Sequence, residues 1–487
     1  MSIVYALKCE RHTAESKVNA DCLAFCHALS VNPILAVLAG LIASASFHPI
    51  DFWPAIFFGI GILYKININQ PFKKRLAINL CFGIGFQIFT LYWVGTYVGS
   101  LAWIALVLMQ STFFLALSFA SRPIEFAITW ILVEFVLRSF PFGGFGWSRI
   151  GYALTESPLN SIYPLVGIVG VAFLVVWISG ELANKDVKKS ISLGIAITLL
   201  TLIPMNISKG ETIDIALVQG GQSEKLDNTF ENAENALERH FQVTNSIRQE
   251  NLDIVIWPEN AIAHDPLIRK STRTRLEAEI SRLSSPILVN GNLADGTNGS
   301  VLIGDEEIQS YSKRYLTPFG EFIPFQSLVE KINDKAGKVI PYIPGQSPYL
   351  FNSESGKFRT LICYELLSDK QARTEMADSE FIVVQTNNAT YFKTWQLEQE
   401  LAIAQARSAE TSRESAYVST TGGTSIIDSR GKIQKSLKKY ENQALIGEIQ
   451  KRSGETPATK YGSTLEFLIL GVGLLLLLNK SRRTFRV

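Results

Sequence analysis

Seven stretches of mostly apolar residues crowd the first 206 positions of the chain, and an eighth lies near its end. A helix needs about 20 such residues to cover the roughly 30 Å hydrocarbon core of a bilayer, so each stretch is expected to be a membrane span. They run over 29–47, 51–66, 76–97, 101–120, 123–140, 160–181, 189–206 and 464–479, the second short enough to lie tilted or partly inserted. Lys8, Glu10, Arg11, Glu15 and Lys17 leave no uninterrupted apolar core before residue 29. That argues against a cleaved leader and for an uncleaved first anchor behind a cytoplasmic segment, 1–28.

Lys and Arg accumulate in short loops on the cytoplasmic side. Here Lys65, Lys73, Lys74 and Arg75 follow the second span, Arg122 the fourth, Lys185, Lys188 and Lys189 the sixth, and Lys480, Arg482, Arg483 and Arg486 the eighth. Basic loops after even spans place both the N-terminus and the 480–487 tail in the cytoplasm. The long segment between spans seven and eight then lies outside. That segment, 212–455, is charged and alternates short strands with helices: 213–219, 252–257, 358–365 and 381–386 read as strands, 228–250 and 394–413 as helices. The expected architecture is a seven-helix membrane domain (29–206), a soluble α/β domain (212–455) and a C-terminal span (464–479), with functional residues at strand ends. Composition fits such a division, since 18% of residues are charged where a soluble chain has roughly 25%. With 46 Lys+Arg against 44 Asp+Glu there is no net field to gather nucleic acid.

Of the five cysteines, Cys9, Cys22, Cys26 and Cys81 precede or lie within the spans, and Cys363 stands alone in the outer domain. It has no disulfide partner there, and at the end of an apolar strand it reads either as a small buried residue or as a nucleophile. Three charged residues in apolar, Pro/Gly-punctuated settings favour the nucleophile: Glu259 in IVIWPENAI, Lys313 in YSKRYLTPFGEFIPF, and Glu365 in ICYELL. Acyl transfer through a thiol needs a base, the thiol itself and a cation or N–H donor facing the oxyanion. Glu259, Cys363 and Lys313 supply one of each. On this view Lys313→Met should slow turnover and leave folding nearly intact.

Glu259, Lys313 and Cys363 occur in the chain order of the Glu-Lys-Cys triad of the nitrilase (carbon–nitrogen hydrolase) superfamily, which this chain resembles. WPENAI, YSKRYLTPFGEFIPF and ICYELL look like the three signature segments of the apolipoprotein N-acyltransferase family, and FHPIDFWP (47–54), 83–95, 130–152 and ALVQGGQ (216–222) resemble its other signatures. The resemblance implies an extracytoplasmic α-β-β-α sandwich joined to about eight transmembrane helices, in a bacterial inner membrane. It also implies acyl transfer from a phospholipid, through a Cys363 thioester, to the α-amino group of a diacylated apolipoprotein. Glu321 and Glu365 would position Lys313 or relay protons. No metal, nucleotide or other cofactor is required, and a monomer is expected. Loop 386–394 departs from the family pattern, with Asn388 for an Asp and Thr390 and Tyr391 for a Trp-Phe pair lining the substrate pocket. Glu134 and Arg138, spaced i,i+4, form either a structural ion pair or, near Trp147 and Arg149, a lipid headgroup contact. The loop 315–350, rich in Phe, Ile and Pro, either dips into the lipid interface or covers the domain core. Two other functions use the same residues: a membrane-tethered amidase, with water as acceptor, and a catalytically silent lipid- or lipoprotein-binding protein.

Overall fold

The computed structural model describes residues 32–221, 229–249, 251–329, 341–391 and 394–484. The expected cytoplasmic segment 1–28 and the last residues of the basic tail, Arg486 among them, lie outside the described residues. All eight apolar stretches contain helix: Asn32–Ser44, Ala55–Asn67, Phe72–Thr90 followed by Tyr92–Tyr97, Ser100–Phe113 prolonged as a 3-10 turn to Phe119, Pro123–Leu137, Tyr163–Ala183, Val187–Leu200 and Pro457–Thr484. Among the described residues only two, Ser100–Phe119 and Pro158–Ala183, are long and apolar enough by themselves to cross a membrane, against the eight expected. Composition counts apolar residues but not where a helix stops. The first stretch ends at Ser44, ahead of His48-Pro49, and the second begins only after Pro54. Thirteen or fourteen residues, as in Ala55–Asn67 and Val187–Leu200, rise only about 20 Å.

The helices pack closely. A Cβ on Gly85 would meet the Val37 carbonyl oxygen at 2.2 Å and one on Gly40 that of Phe82 at 2.3 Å, so two glycines set the crossing of Asn32–Ser44 and Phe72–Thr90. Large apolar side chains that face away from the bundle, including Phe58, Leu101, Leu108, Phe467 and Leu468, are exposed.

Among the described residues twelve strands build the second half: β1 Ile207–Gln219, β2 Ile254–Ile256, β3 Ile287–Asn292, β4 Asn298–Ile303, β5 Gln309–Ser312, β6 Leu350–Ser353, β7 Gly356–Ile362, β8 Phe381–Thr386, β9 Ser415–Ser419, β10 Ser425–Ile427, β11 Ile433–Ser436 and β12 Gln443–Gly454. They form two six-stranded sheets, ordered β12-β1-β2-β3-β4-β5 and β11-β10-β9-β8-β7-β6. Ile215, Leu217, Ile254 and Ile256 of one sheet meet Phe358, Ile362, Phe381 and Val383 of the other in a buried core. Helices Thr229–Asn245 and Lys270–Leu283 cover the first sheet through Leu237, Phe241, Leu276 and Leu283. Helix Gln396–Thr411 covers the second. The layering is the implied α-β-β-α sandwich. The strand expected over 358–365 stops at Ile362, because Cys363 takes φ 49° and leaves extended space.

One apolar core runs from the helical half into the second sheet, joining Trp130, Tyr152 and Val171 to Leu361, Leu366, Ile403 and Ala406. Beside it sits a buried charge cluster. Asp369 Oδ1 is 2.7 Å from both Arg149 Nη1 and Arg407 Nη2, and its Oδ2 is 3.6 Å from Arg138 Nε. The expected Glu134–Arg138 pair is not what forms: Arg138 pairs with Asp369 and, at 2.5 Å, with Glu466, while Glu134 faces Arg149 at 3.5 Å. Burial opposes ionisation of Asp369, but Arg149, Arg407, Arg138 and Arg373 outweigh it and hold the carboxyl well below the usual range. Stability from a depressed carboxyl is present above the unfolded value and is lost only as pH falls through the folded one. Asp369→Asn strands several buried guanidinium groups and is expected to cost about 3–5 kcal/mol. A thermal melt in detergent should show a clearly lower midpoint; an unchanged one would mean that Asp369 does not hold the two halves together.

Candidate active site

Glu259 and Lys313 come from the first sheet and Cys363 from the second, so the candidate residues gather where the sheets' strand ends meet. β2 runs into Trp257-Pro258; proline has no N–H to continue the ladder, and the chain turns out with Glu259 at its tip. Across the sheets, the Gln385 side-chain amide at the end of β8 donates to the Trp257 carbonyl at 2.6 Å. Lys313 follows β5, its backbone N–H donating to Asn298 O and its carbonyl accepting from Gly345 N–H, both at 2.8 Å. These bonds aim the side chain inward, where it is 1% exposed.

Lys313 Nζ lies 3.0 Å from Glu259 Oε1 and 2.8 Å from Glu321 Oε2. Asn298 Nδ2 donates to both carboxylates, at 2.9 Å to Glu259 Oε1 and 3.0 Å to Glu321 Oε1. The Asn387 N–H adds a 3.0 Å bond to Glu259 Oε2, and the Thr317 N–H a 2.8 Å bond to Glu321 Oε2. Burial raises the Glu259 carboxyl, and Glu321 beside it raises it further, so that Lys313 only partly offsets the rise. Burial also raises Glu321, yet Lys313 and the Thr317 N–H outweigh it and leave that carboxyl below its usual value. Of two carboxylates sharing one ammonium, Glu321 is therefore the stronger acid and Glu259 the more basic. Burial works against a charged Lys313, but Glu259, Glu321 and Cys363 hold it well above its usual range.

Cys363 opens the 3-10 turn Cys363–Leu367 in the left-handed region, φ 49°, a conformation that costs a non-glycine residue roughly 1–2 kcal/mol. Glu365 fixes this turn. Its Oε2 accepts from the Ile362 N–H at 2.9 Å, and its Oε1 accepts from Tyr311 Oη at 2.6 Å and the Arg314 N–H at 2.8 Å. The nucleophile turn is thereby tied to the loop that carries Lys313. Burial pushes the Cys363 thiol well up, with Glu259 and Glu400 adding to the rise; Lys313 and the Thr386 hydroxyl pull it down without compensating. At rest the sulfur carries its proton.

The pocket candidates separate. Tyr391 meets Trp93 edge-on at 5.0 Å, and Trp93 packs on Trp147 at 4.8 Å, so those three rings make an aromatic wall from the helical half to the loop after β8. Phe145 extends it, stacking on Trp147 at 5.8 Å and on Tyr364, next to the nucleophile, at 6.2 Å. Thr390 is half-buried on the turn Ala389–Tyr391. Arg149, a pocket candidate beside which a headgroup contact is one of two readings, is fully buried between Asp369 and Glu134. The Phe-rich loop does not merely cover the core: Phe319 and Phe325 are exposed and pack on Phe142 of the helical half, at 6.3 and 5.4 Å.

Sequence reasoning missed Asn298, Asn387, Thr386 and Glu400. Glu400 is buried, accepts from Thr386 Oγ1 at 2.9 Å and from Gln396 Nε2 at 3.2 Å, and so backs the residue that bonds the thiol. Its signal is a charge on the apolar face Leu397, Glu400, Ala404 of a helix. Asn298 carries none, being a polar residue at an ordinary strand start.

Residues 214–458 match the carbon–nitrogen hydrolase family, and residues 39–180 match the apolipoprotein N-acyltransferase N-terminal domain. The chain is 27% identical over 502 residues to the apolipoprotein N-acyltransferase of Coxiella burnetii, covering 92% of this chain and 99% of that one. Likeness to the protein of that name from Wigglesworthia glossinidia brevipalpis is 26% over 473 residues, covering 88% and 94%. For Photobacterium profundum it is 27% over 476 residues, covering 88% and 91%.

Proposed function

The chain belongs to the carbon–nitrogen hydrolase family, its hydrolase fold preceded by a match to the apolipoprotein N-acyltransferase N-terminal domain, and from that premise we propose that it is an acyltransferase acting in the membrane. It moves an acyl chain from a phospholipid, through a thioester on Cys363, to the α-amino group of the S-diacylglyceryl cysteine that begins an apolipoprotein. The observation that carries this reading is Lys313 buried between Glu259 and Glu321 beside a cysteine that leaves its strand at positive φ, in a domain sharing its core with apolar helices.

The Cys363 thiol gives its proton to Glu259, and the thiolate attacks the carbonyl carbon of the phospholipid ester. Lys313 faces the resulting oxyanion, a contact on which about 3–4 kcal/mol of barrier can depend. In this reading a backbone N–H beside Cys363 donates to the oxyanion as well. The ester C–O bond breaks, Glu259 returns the proton to the departing lysophospholipid oxygen, and the acyl group stays on sulfur. In the second half the α-amine attacks the thioester carbonyl and gives a proton to Glu259. The C–S bond then breaks, and Glu259 hands that proton back to Cys363. Glu321 holds Lys313 charged throughout, and Glu365 holds the turn.

Exposed Phe140, Phe142, Phe319 and Phe325 supply an apolar approach to the site from lipid. The reading includes eight membrane crossings, with domains at 29–206, 212–455 and 464–479, cytoplasmic termini and a periplasmic catalytic domain in a bacterial inner membrane. Eight helical stretches and basic loops after even-numbered ones support it. The protein acts as a monomer. The test is intact mass of purified protein after incubation with phospholipid, then addition of a diacylated peptide. One acyl chain should appear on the protein and pass to the peptide amine. Release as free fatty acid would instead mark a hydrolase, and no adduct a silent binder.

A further inference from the structure

A cavity of about 670 Å³ plays no part in this chemistry. It lies where helix Val187–Leu200 gives way to β1, between the loop 155–164 of the helical half and the β10–β11 connection. Lys209, Arg430, Lys432 and Arg452 line it against a single lining carboxylate, Glu156. Among the described residues Lys209, Arg430 and Lys432 form no ion pair. Arg452 Nε is buried without a hydrogen-bond partner, its nearest carboxylate oxygen, Glu414 Oε1, 4.0 Å away. Asp428 takes up backbone rather than side-chain donors, bonding the Arg430 and Lys432 N–H groups at 2.8 Å. That leaves the two cationic side chains free to face the cavity. Just below, Leu199, Leu202, Ile203 and Met205 are exposed and apolar.

Cations with few counter-charges, above an apolar strip at the end of a helix, match a molecule with a phosphate at one end and hydrocarbon at the other. The place is distinct from the nucleophile. β7, β8 and β9 are parallel, Cys363 follows the carboxyl end of β7, and the cavity residue Ser412 precedes the amino end of β9. Roughly 15 Å of helix separates Glu400, behind the nucleophile, from Ala409 and Ser412 at the cavity. We propose that this cavity binds the phosphate headgroup of an anionic membrane phospholipid, its chains lying along Val187–Leu200, as a second lipid site that seats the catalytic domain on the bilayer. The inference rests on the membrane placement proposed above.

The test uses the full-length protein in detergent, with phosphatidylglycerol, phosphatidylcholine or inorganic phosphate added, and native mass spectrometry counting retained lipid. Wild type should retain phosphatidylglycerol over phosphatidylcholine. The combined variant Lys209→Gln, Arg430→Gln, Lys432→Gln should bind it at least about tenfold more weakly, since each cation near an anionic surface contributes separately. A companion variant, Lys209→Arg with Arg430→Lys, which keeps the charge, should bind as wild type does and so controls for folding. Acyl-adduct formation on Cys363 is read in the same samples, which separates failure of this site from failure of the catalytic reading. Equal retention by wild type and the neutral variant would overturn the proposal. So would full displacement of the lipid by inorganic phosphate, which would make the cavity a site for free anions.

Discussion

Cys363→Ala protein should fold, bind phospholipid and show no acyl adduct, with transfer to a diacylated peptide reduced by at least about four orders of magnitude. Folding should survive because the thiol contributes little to the structure. The turn that Cys363 opens is held by Glu365 through the Ile362 and Arg314 N–H groups and Tyr311, none of which the substitution touches. Activity should not survive, because among the described residues the carboxylates beside Lys313, Glu259 and Glu321, are held as its ion partners and leave Cys363 as the nucleophile. Cys9, Cys22, Cys26 and Cys81 remain in the variant, so loss of the mass adduct assigns it to one sulfur. An adduct persisting on the alanine protein would sink the mechanism.

What could be read beforehand was local. β8 spans Phe381–Thr386, as the apolar run FIVVQT requires, and Glu259 was marked by a Trp-Pro that ends its strand. Glu259, Lys313 and Cys363 could be picked out because each is a reactive type in an apolar context. Their supports could not. Asn298 bonds two carboxylates 39 and 23 residues away, and nothing near it in sequence reports that. The charge cluster misled for the same reason. An i,i+4 spacing names partners on one helix only, while Arg149 takes its partner, Asp369, from 220 residues along the chain. Helix count suffered from a different limit, since an apolar run says how much hydrocarbon is present but not where proline ends the helix.

Lys313→Met should slow turnover by about two to three orders of magnitude through the lost oxyanion contact, and it should also destabilise the protein, contrary to what the sequence suggests. Methionine fills the space of lysine, so no cavity is expected. The damage is electrostatic. Glu259 and Glu321 are both buried, and Lys313 Nζ lies within 3.0 Å of each. Removing one partner from such a group costs about 3–5 kcal/mol when the remaining charge stays buried. The variant can lessen that cost only by protonating the carboxylates, and this gives the effect a sign in pH. In the wild type the Glu321 carboxyl is depressed, so its share of stability is present above the unfolded value and is lost as pH falls through the folded one. Without the ammonium, burial raises both carboxyls. A raised carboxyl contributes stability below the unfolded value of about 4.3 and loses it as pH climbs to the folded one. The gap between wild type and Lys313→Met should therefore be small near pH 4–5 and widen toward neutrality. Thermal midpoints of both proteins across that range test this. A gap independent of pH would mean the two glutamates do not share Lys313 as their counter-charge, and the assignment of Glu259 as the proton acceptor would fall with it.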